Sequence, residues 1–164
     1  MNRKDTQGQE SNATGTRRVF VVGTGMTRFL RPGKHKFEYT DLAAIAVQRA
    51  IDDCRLDRKA VEQVVVGYVY GDSCSGQKAA YAAGMMTGVP IVNVNNNCST
   101  GSTAIFLAHN MIKGGLANCV MALGFEKMFT GSLKSFFSDR VNPLKDFVIQ
   151  NAQIRGMESA PIAP

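Results

Sequence analysis

The sequence predicts an α/β fold, a mostly parallel sheet covered by helices, and three observations carry that prediction. Short apolar, β-branched runs recur along the chain at 19–22, 64–66, 91–94 and 119–123. The stretches between them place apolar residues at helical spacing. The two kinds of segment alternate, and alternating strands and helices build a parallel sheet with right-handed crossovers. Composition agrees: 164 residues, 45% hydrophobic and 20% charged, suit a globular chain with a core.

Taken in order, residues 1–17 form a polar leader expected to be disordered, too polar for a secretory signal. Val19-Phe20-Val21-Val22, closed by Gly23, reads as a strand buried on both faces. After a Pro32-Gly33 loop, Thr40-Asp41 offers a helix cap, and Ala43, Val47, Ala50, Ile51 and Cys54 make one apolar face to about Arg55. A second strand opens at Val64 and runs toward Tyr70, and a short helix around 78–83 follows. Ile91–Val94 is the third strand, Ser99–Lys113 a long helix closed by Gly114-Gly115, and Cys119–Leu123 the fourth strand. The long helix carries Ala104, Ile105, Phe106, Leu107, Ala108, Met111 and Ile112 around its circumference, so it is expected to be covered on all sides by further protein. Past Glu126 the pattern decays; Phe125–Phe137 reads as packing material, and the run from Ser159 to Pro164 brings no closing element.

Charge excludes an obvious nucleic-acid partner. The net charge is +6, but residues 1–18, 19–126 and 127–164 each carry +2, with no stripe for a phosphate backbone to follow. One local cluster, Arg28, Arg31, Lys34, His35 and Lys36, reads as a solvated loop. No apolar run approaches the roughly eighteen residues that span a bilayer. The four cysteines lack a C-x-x-C pair or a histidine cluster, so no metal site is expected. They read as reduced thiols of a protein that is not secreted.

The segment Asn95-Asn96-Asn97-Cys98-Ser99-Thr100-Gly101 sits where a strand becomes a helix. Asn tolerates positive φ and bonds local backbone, so three in a row suit a constrained turn. Cys98 then falls beside a helix N-terminus, whose unpaired N–H groups and dipole favour a thiolate and a developing oxyanion. The pattern parallels the nucleophile elbow of serine hydrolases. Spacing alone leaves two readings open, a nucleophile and a small buried thiol at a cap. Cys54 and Cys119 read as core, and Cys74 lies in a Gly/Ser loop. His109 stands eleven residues along the same helix, about 16 Å from Cys98, and sequence does not place His35; a Cys98–His35 hydrolase is therefore a weak alternative. Gly23-Thr24-Gly25 fails the dinucleotide fingerprint because position 28 is Arg28, and Gly71–Gly76 fails the P-loop because Gln77 stands where lysine must.

The stretch Val92-Asn93-Val94-Asn95-Asn96-Asn97-Cys98-Ser99-Thr100-Gly101-Ser102-Thr103-Ala104 resembles the nucleophile segment of thiolases, and within them the SCP2-type 3-oxoacyl-CoA thiolases. Arg17–Gly23, Gly67–Ser73 and Ala122–Met128 resemble further stretches of that group, so the likeness runs from about Arg17 to Pro164. It implies a thiolase fold with an incomplete N-terminal half over 18–126, and the start of a loop domain, cut short, over 127–164. It makes Cys98 the nucleophile that attacks a 3-oxoacyl-CoA, with its own backbone N–H as an oxyanion donor, and makes coenzyme A a co-substrate with no permanently bound cofactor. It implies acyl-CoA and CoA as partners, a homodimer in the complete protein, and work on lipid in a peroxisome-type organelle or mitochondrion. The family's Gly-His-Pro and Cys-x-Gly motifs belong to its C-terminal half, so the segment is expected to be inactive alone. A ketoacyl synthase-like condensing enzyme and a non-catalytic assembly module are the alternatives.

Overall fold

The computed structural model describes residues 17–85, 88–129, 139, 143 and 145–157. The polar leader up to residue 16, the Phe-rich stretch beyond Phe129 and the run from Ser159 lie outside the described residues. Two compact units divide at Lys127/Met128.

The first unit is built on three parallel strands in the order β2-β1-β3: β1 (Gln63–Gly67), β2 (Ile91–Val94) and β3 (Val120–Gly124). Helix α1 (Tyr39–Cys54) precedes β1, α2 (Ser75–Ala82) joins β1 to β2, and α3 (Thr100–Lys113) joins β2 to β3. The central strand is the driest element: Val64, Val65 and Val66 are completely buried. Side chains alternate along a strand. Val64 and Val66 share one cluster with Ala43 and Val47 of α1 and Ala79 and Ala80 of α2. Val65 and Gly67 point the other way, toward α3. The two crossovers run in opposite directions across the sheet on opposite faces, which gives both the same hand. In register, Gly67 stands beside Val94 and Gly124, so all three strands end at one edge.

Helix α1 begins one residue before the expected cap. Glu38, not Thr40, is its N-cap, and the Asp41 carboxylate accepts the Glu38 N–H at 2.8 Å, half of a capping box. The sequence pointed to Thr40-Asp41 because these are common capping residues; here Asp41 acts from inside the first turn instead, its carboxylate holding the Glu38 N–H. Beyond the strand ends, Phe125 is stacked between Tyr39 and Tyr68, with ring centroids 4.8 and 5.0 Å away. This sandwich ties the start of α1 to the exits of β1 and β3.

The largest departure from expectation is Val19–Val22. It is not a strand, and it is not buried: Val21 is 80% exposed. Its neighbours explain why. A Cβ at Gly23 would lie 2.5 Å from the Ala50 carbonyl oxygen, and one at Gly25 would lie 2.2 Å from that of Ala46. Glycines 23 and 25 are therefore pressed onto the backbone of α1, which is the use these two residues have in place of a nucleotide. The Thr24 N–H donates to the Asp53 carboxylate at 2.8 Å. So held, the segment runs past the outer edge of β3 without pairing to it. A cleft of about 490 Å³ separates them, lined by Val19–Gly25, the apolar faces of α1 and α3, and β3 itself.

Helix α3 is covered on one side only. Thr100, Ala104 and Ala108 are buried, whereas Ile105 and Phe106 are 61% and 62% exposed. The covering layer expected from its apolar circumference is not supplied by the described residues. With Phe20–Val22, Leu116 and the open edge of β3 also uncovered, the isolated chain is expected to bind a hydrophobic dye and self-associate. Monodisperse sedimentation at tens of micromolar, with no dye signal, would contradict this.

The turn before β3 carries a pH signature. Glu62, exposed just ahead of β1, accepts the Asn118 N–H at 2.9 Å and its side-chain amide at 3.1 Å. These bonds, with Arg17 nearby, hold its carboxyl below the ordinary value of 4.5. Because the folded pKa is the lower one, the contribution is present above about 4.5 and lost as pH falls through the folded value. A carboxyl titration by NMR is expected to place Glu62 below 4.5, and to move it only part of the way back in Asn118→Ala, which removes the side-chain amide but keeps the backbone N–H. A midpoint above 4.5 would refute the assignment.

In the second unit, residues 145–154 form helix α4 (Lys145–Ile154), an element the decaying pattern did not announce. Ala152 is buried in it, while Phe147 and Ile154 are exposed.

Candidate functional site

The site lies outside the carboxyl ends of the strands, where loops of an open parallel sheet converge. Three segments leave that edge together: 68–74 after β1, 95–99 after β2 and 125–127 after β3.

The turn from β2 into α3 is fixed by its own polar side chains. The Asn95 side-chain oxygen accepts the Asn97 N–H at 3.0 Å, and Asn97 takes a left-handed φ of 48°, which asparagine tolerates better than other residues with a Cβ. Thr100 is the centre of the arrangement. Its hydroxyl accepts the Asn96 N–H at 2.8 Å and donates to the Asn97 carbonyl at 2.6 Å. Asn96 in turn donates to the Thr103 hydroxyl at 3.1 Å, and Thr103 donates back to the Ser99 carbonyl at 3.0 Å. Thr100 is only 5% exposed, and its methyl fills the space over Gly67: a Cβ on Gly67 would lie 2.6 Å from that methyl. The absent side chain at the end of β1 is what lets the first turn of α3 sit down on the sheet.

Cys98 stands at the tip of this turn, one residue before the N-cap Ser99, and is exposed. Its sulfur lies 3.8 Å from the Asn97 side-chain oxygen. The buried reading left open by the spacing does not describe it. Neither histidine is brought to it: His35 is in the loop before α1, its ring 5.9 Å from Phe37, and His109 on α3 lies 3.2 Å from the Asn110 side chain.

The loop after β1 is clamped from the β3 side. The Glu126 carboxylate accepts the Val69 N–H at 2.9 Å and the Tyr70 N–H at 3.3 Å. Burial pushes the Tyr68 hydroxyl up from its ordinary value, and that hydroxyl donates to the Asp72 carbonyl at 3.1 Å. Cys74, exposed and with φ of 65°, is the N-cap of α2. Cys54 and Cys119 are half-buried, and burial, with Glu62 and Cys54 nearby, pushes the Cys119 thiol up. Among the described residues no group of three His, Cys, Asp or Glu side chains is placed to hold a metal, and no helix is long and apolar enough to cross a membrane.

Sequence reasoning pointed to the turn at Cys98 but missed Thr100 and Gly67, which hold that turn, and Glu126, which clamps the loop after β1. Glu126 sits directly after the predicted fourth strand, and a carboxylate at a strand exit was the available signal. Nothing in the sequence pairs Gly67 with Thr100.

Residues 19–157 match the thiolase N-terminal domain, and the chain belongs to that family. Among individual proteins it is 54% identical over 148 residues to sterol carrier protein 2 of Gallus gallus, covering 90% of this chain and 27% of that protein. It is 38% identical over 149 residues to a non-specific lipid-transfer protein-like 2 of Caenorhabditis elegans, covering 88% of this chain and 36% of that one. The chain thus spans about a quarter to a third of the length of these relatives. In fold it is similar to the acetyl-CoA acetyltransferase of Bacillus anthracis, with a TM-score of 0.51 at 23% identity, over 63% of this chain and 29% of that one.

Proposed function

We propose that this segment carries the nucleophile of an SCP2-type 3-oxoacyl-CoA thiolase. The observation that supports the reading best is the Cys98 thiol, exposed at the carboxyl edge of the sheet on a turn held by a buried Thr100. In this reaction the Cys98 thiolate bonds to the keto carbon of a 3-oxoacyl-CoA. The bond from that carbon to the α-carbon breaks, and its electron pair leaves with acetyl-CoA or propionyl-CoA as an enolate that takes up a proton. A second coenzyme A then adds to the acyl-cysteine carbonyl, and the Cys98 sulfur leaves as thiolate. The Cys98 amide N–H serves as a donor to the oxyanion of each tetrahedral adduct. Residues 18–126 are the nucleophile-bearing half-domain and 127–164 the start of the loop domain. The proton-transfer groups belong, by the family resemblance, to a C-terminal half that these 164 residues do not include. The segment by itself is therefore inactive, and the complete protein works as a homodimer on acyl-CoA and CoA.

The experiment is acyl loading of the complete protein. Acetyl-CoA is expected to leave an acetyl group on the peptide that contains Cys98, found by mass spectrometry, and added CoA is expected to remove it. Loading only from an acyl carrier protein would replace this reading with a condensing synthase. Tight association with a full-length thiolase and no acylation of Cys98 would replace it with an assembly role.

A further inference from the structure

The loop from Met26 to Phe37 has no part in the chemistry above, and its surface is unusual in two ways at once. It carries four permanent cations, Arg28, Arg31, Lys34 and Lys36, and no acidic residue. All four are exposed, and no carboxylate among the described residues pairs with them. Between them the apolar side chains of Met26, Phe29, Leu30 and Phe37 also face solvent, Phe29 at 95%.

The backbone presents this surface in a defined shape. Arg31-Pro32-Gly33-Lys34 is a tight turn, closed by the Lys34 N–H on the Arg31 carbonyl at 3.0 Å. Pro32 at its second position and Gly33 at its third, with φ of 78°, are the residues a type II turn requires. The turn thus carries a cation at each end. The root of the loop is tied to α1 on both sides. On one, the Arg49 guanidinium donates to the Met26 carbonyl and Thr24 donates to Asp53. On the other, Asp41 accepts the Glu38 N–H. The loop projects from two fixed points.

We propose that this loop docks the protein on an anionic lipid surface, with Phe29 and Leu30 entering the boundary between headgroups and acyl chains. Arg28, Arg31, Lys34 and Lys36 then meet the headgroup phosphates and carboxylates. A solvated loop accounts for the charges but leaves Phe29 fully in water. A membrane interface accounts for both, because aromatic and aliphatic side chains partition into it while arginine and lysine stems lie along it with their charged ends in water. The cations are distributed along the loop and none lines the cleft of the first unit, which favours an extended charged surface over one small phosphate ligand.

These 164 residues contain no tryptophan, so Phe29→Trp in this 164-residue chain introduces a single indole in the loop. Its emission is expected to shift to the blue, and the protein to float with the vesicles, when phosphatidylcholine vesicles contain about one-third phosphatidylserine. Flotation separates vesicle-bound protein from self-associated protein, which sinks. Neutral vesicles or about 0.5 M salt are expected to weaken binding roughly tenfold or more. Arg28→Glu/Arg31→Glu/Lys34→Glu is expected to do the same with an unchanged circular dichroism spectrum, and the milder Arg28→Gln/Arg31→Gln to fall between. No shift with anionic vesicles overturns the proposal, as does equal flotation of the wild-type and charge-reversed chains. A shift produced by inorganic phosphate alone points to a soluble ligand. A concentration-dependent shift of this indole without lipid means that the loop itself, and not α3 or the β3 edge, meets a second copy of the chain, and either result also overturns it.

Discussion

Replacing Cys98 by alanine in the complete protein is expected to abolish acyl loading and to lower turnover by roughly 10⁴-fold or more, the scale on which a covalent nucleophile is missed. Cys98→Ser is expected to be nearly as inactive, because a hydroxyl in the same place is a far weaker nucleophile at neutral pH. Neither change should disturb folding: the side chain is exposed and its described contact is a weak one to Asn97, so stability is expected within about 0.5 kcal/mol of the parent. The discriminating control is Cys74, the other exposed thiol. Cys74→Ala should retain most of the activity, and an acyl group found on Cys74 in place of Cys98 would sink the assignment.

The second large effect is expected at Gly67. An added Cβ meets the Thr100 methyl at 2.6 Å and the Thr100 carbonyl oxygen at 3.2 Å. Thr100 has little freedom to yield, since its hydroxyl is engaged by Asn96 and Asn97 and its χ1 is restricted by branching. Gly67→Ala should therefore lift the first turn of α3 off the sheet, destabilise the fold by about 2 kcal/mol and alter the alkylation rate of Cys98. Thr100→Ser keeps the hydroxyl and removes the methyl. Combined with Gly67→Ala it should recover about 1 kcal/mol and restore the alkylation rate. Strict additivity of the two substitutions in a denaturant-melt cycle would mean that the contact does not position the turn.

These two expectations came from different sources. The turn at Cys98 was legible in the sequence because three asparagines, a cysteine and small residues at a strand-to-helix junction already name a constrained turn, and the chemistry proposed for it comes from the resemblance to thiolases. The support beneath it was not legible. Gly67 and Thr100 lie 33 positions apart, and only the register of β1 against the crossover helix brings one over the other. The helices followed the same division. Periodicity placed α1, α2 and α3 to within a few residues, because burial of one face leaves a 3.6-residue imprint. The short apolar repeat of α4 left too weak an imprint to find. Val19–Val22 misled for a physical reason: an apolar β-branched run measures the wish to be buried, but a strand also needs an edge to pair with. Here Gly23 and Gly25 bind the segment to α1, across a cleft from β3.

By itself the sequence determined helices α1 to α3, the three strands of the sheet, their parallel alternation, the constrained turn at Cys98 and the membership of a family of acyl-transferring enzymes. Those depend on side-chain pattern within a few residues, where backbone sterics and hydrogen-bonding habits decide. Only the tertiary structure decided which apolar runs are buried, what holds the thiol in place and which face of α3 is left bare. Those outcomes rest on contacts between residues distant in the chain, and no local preference encodes which surface will arrive to meet them.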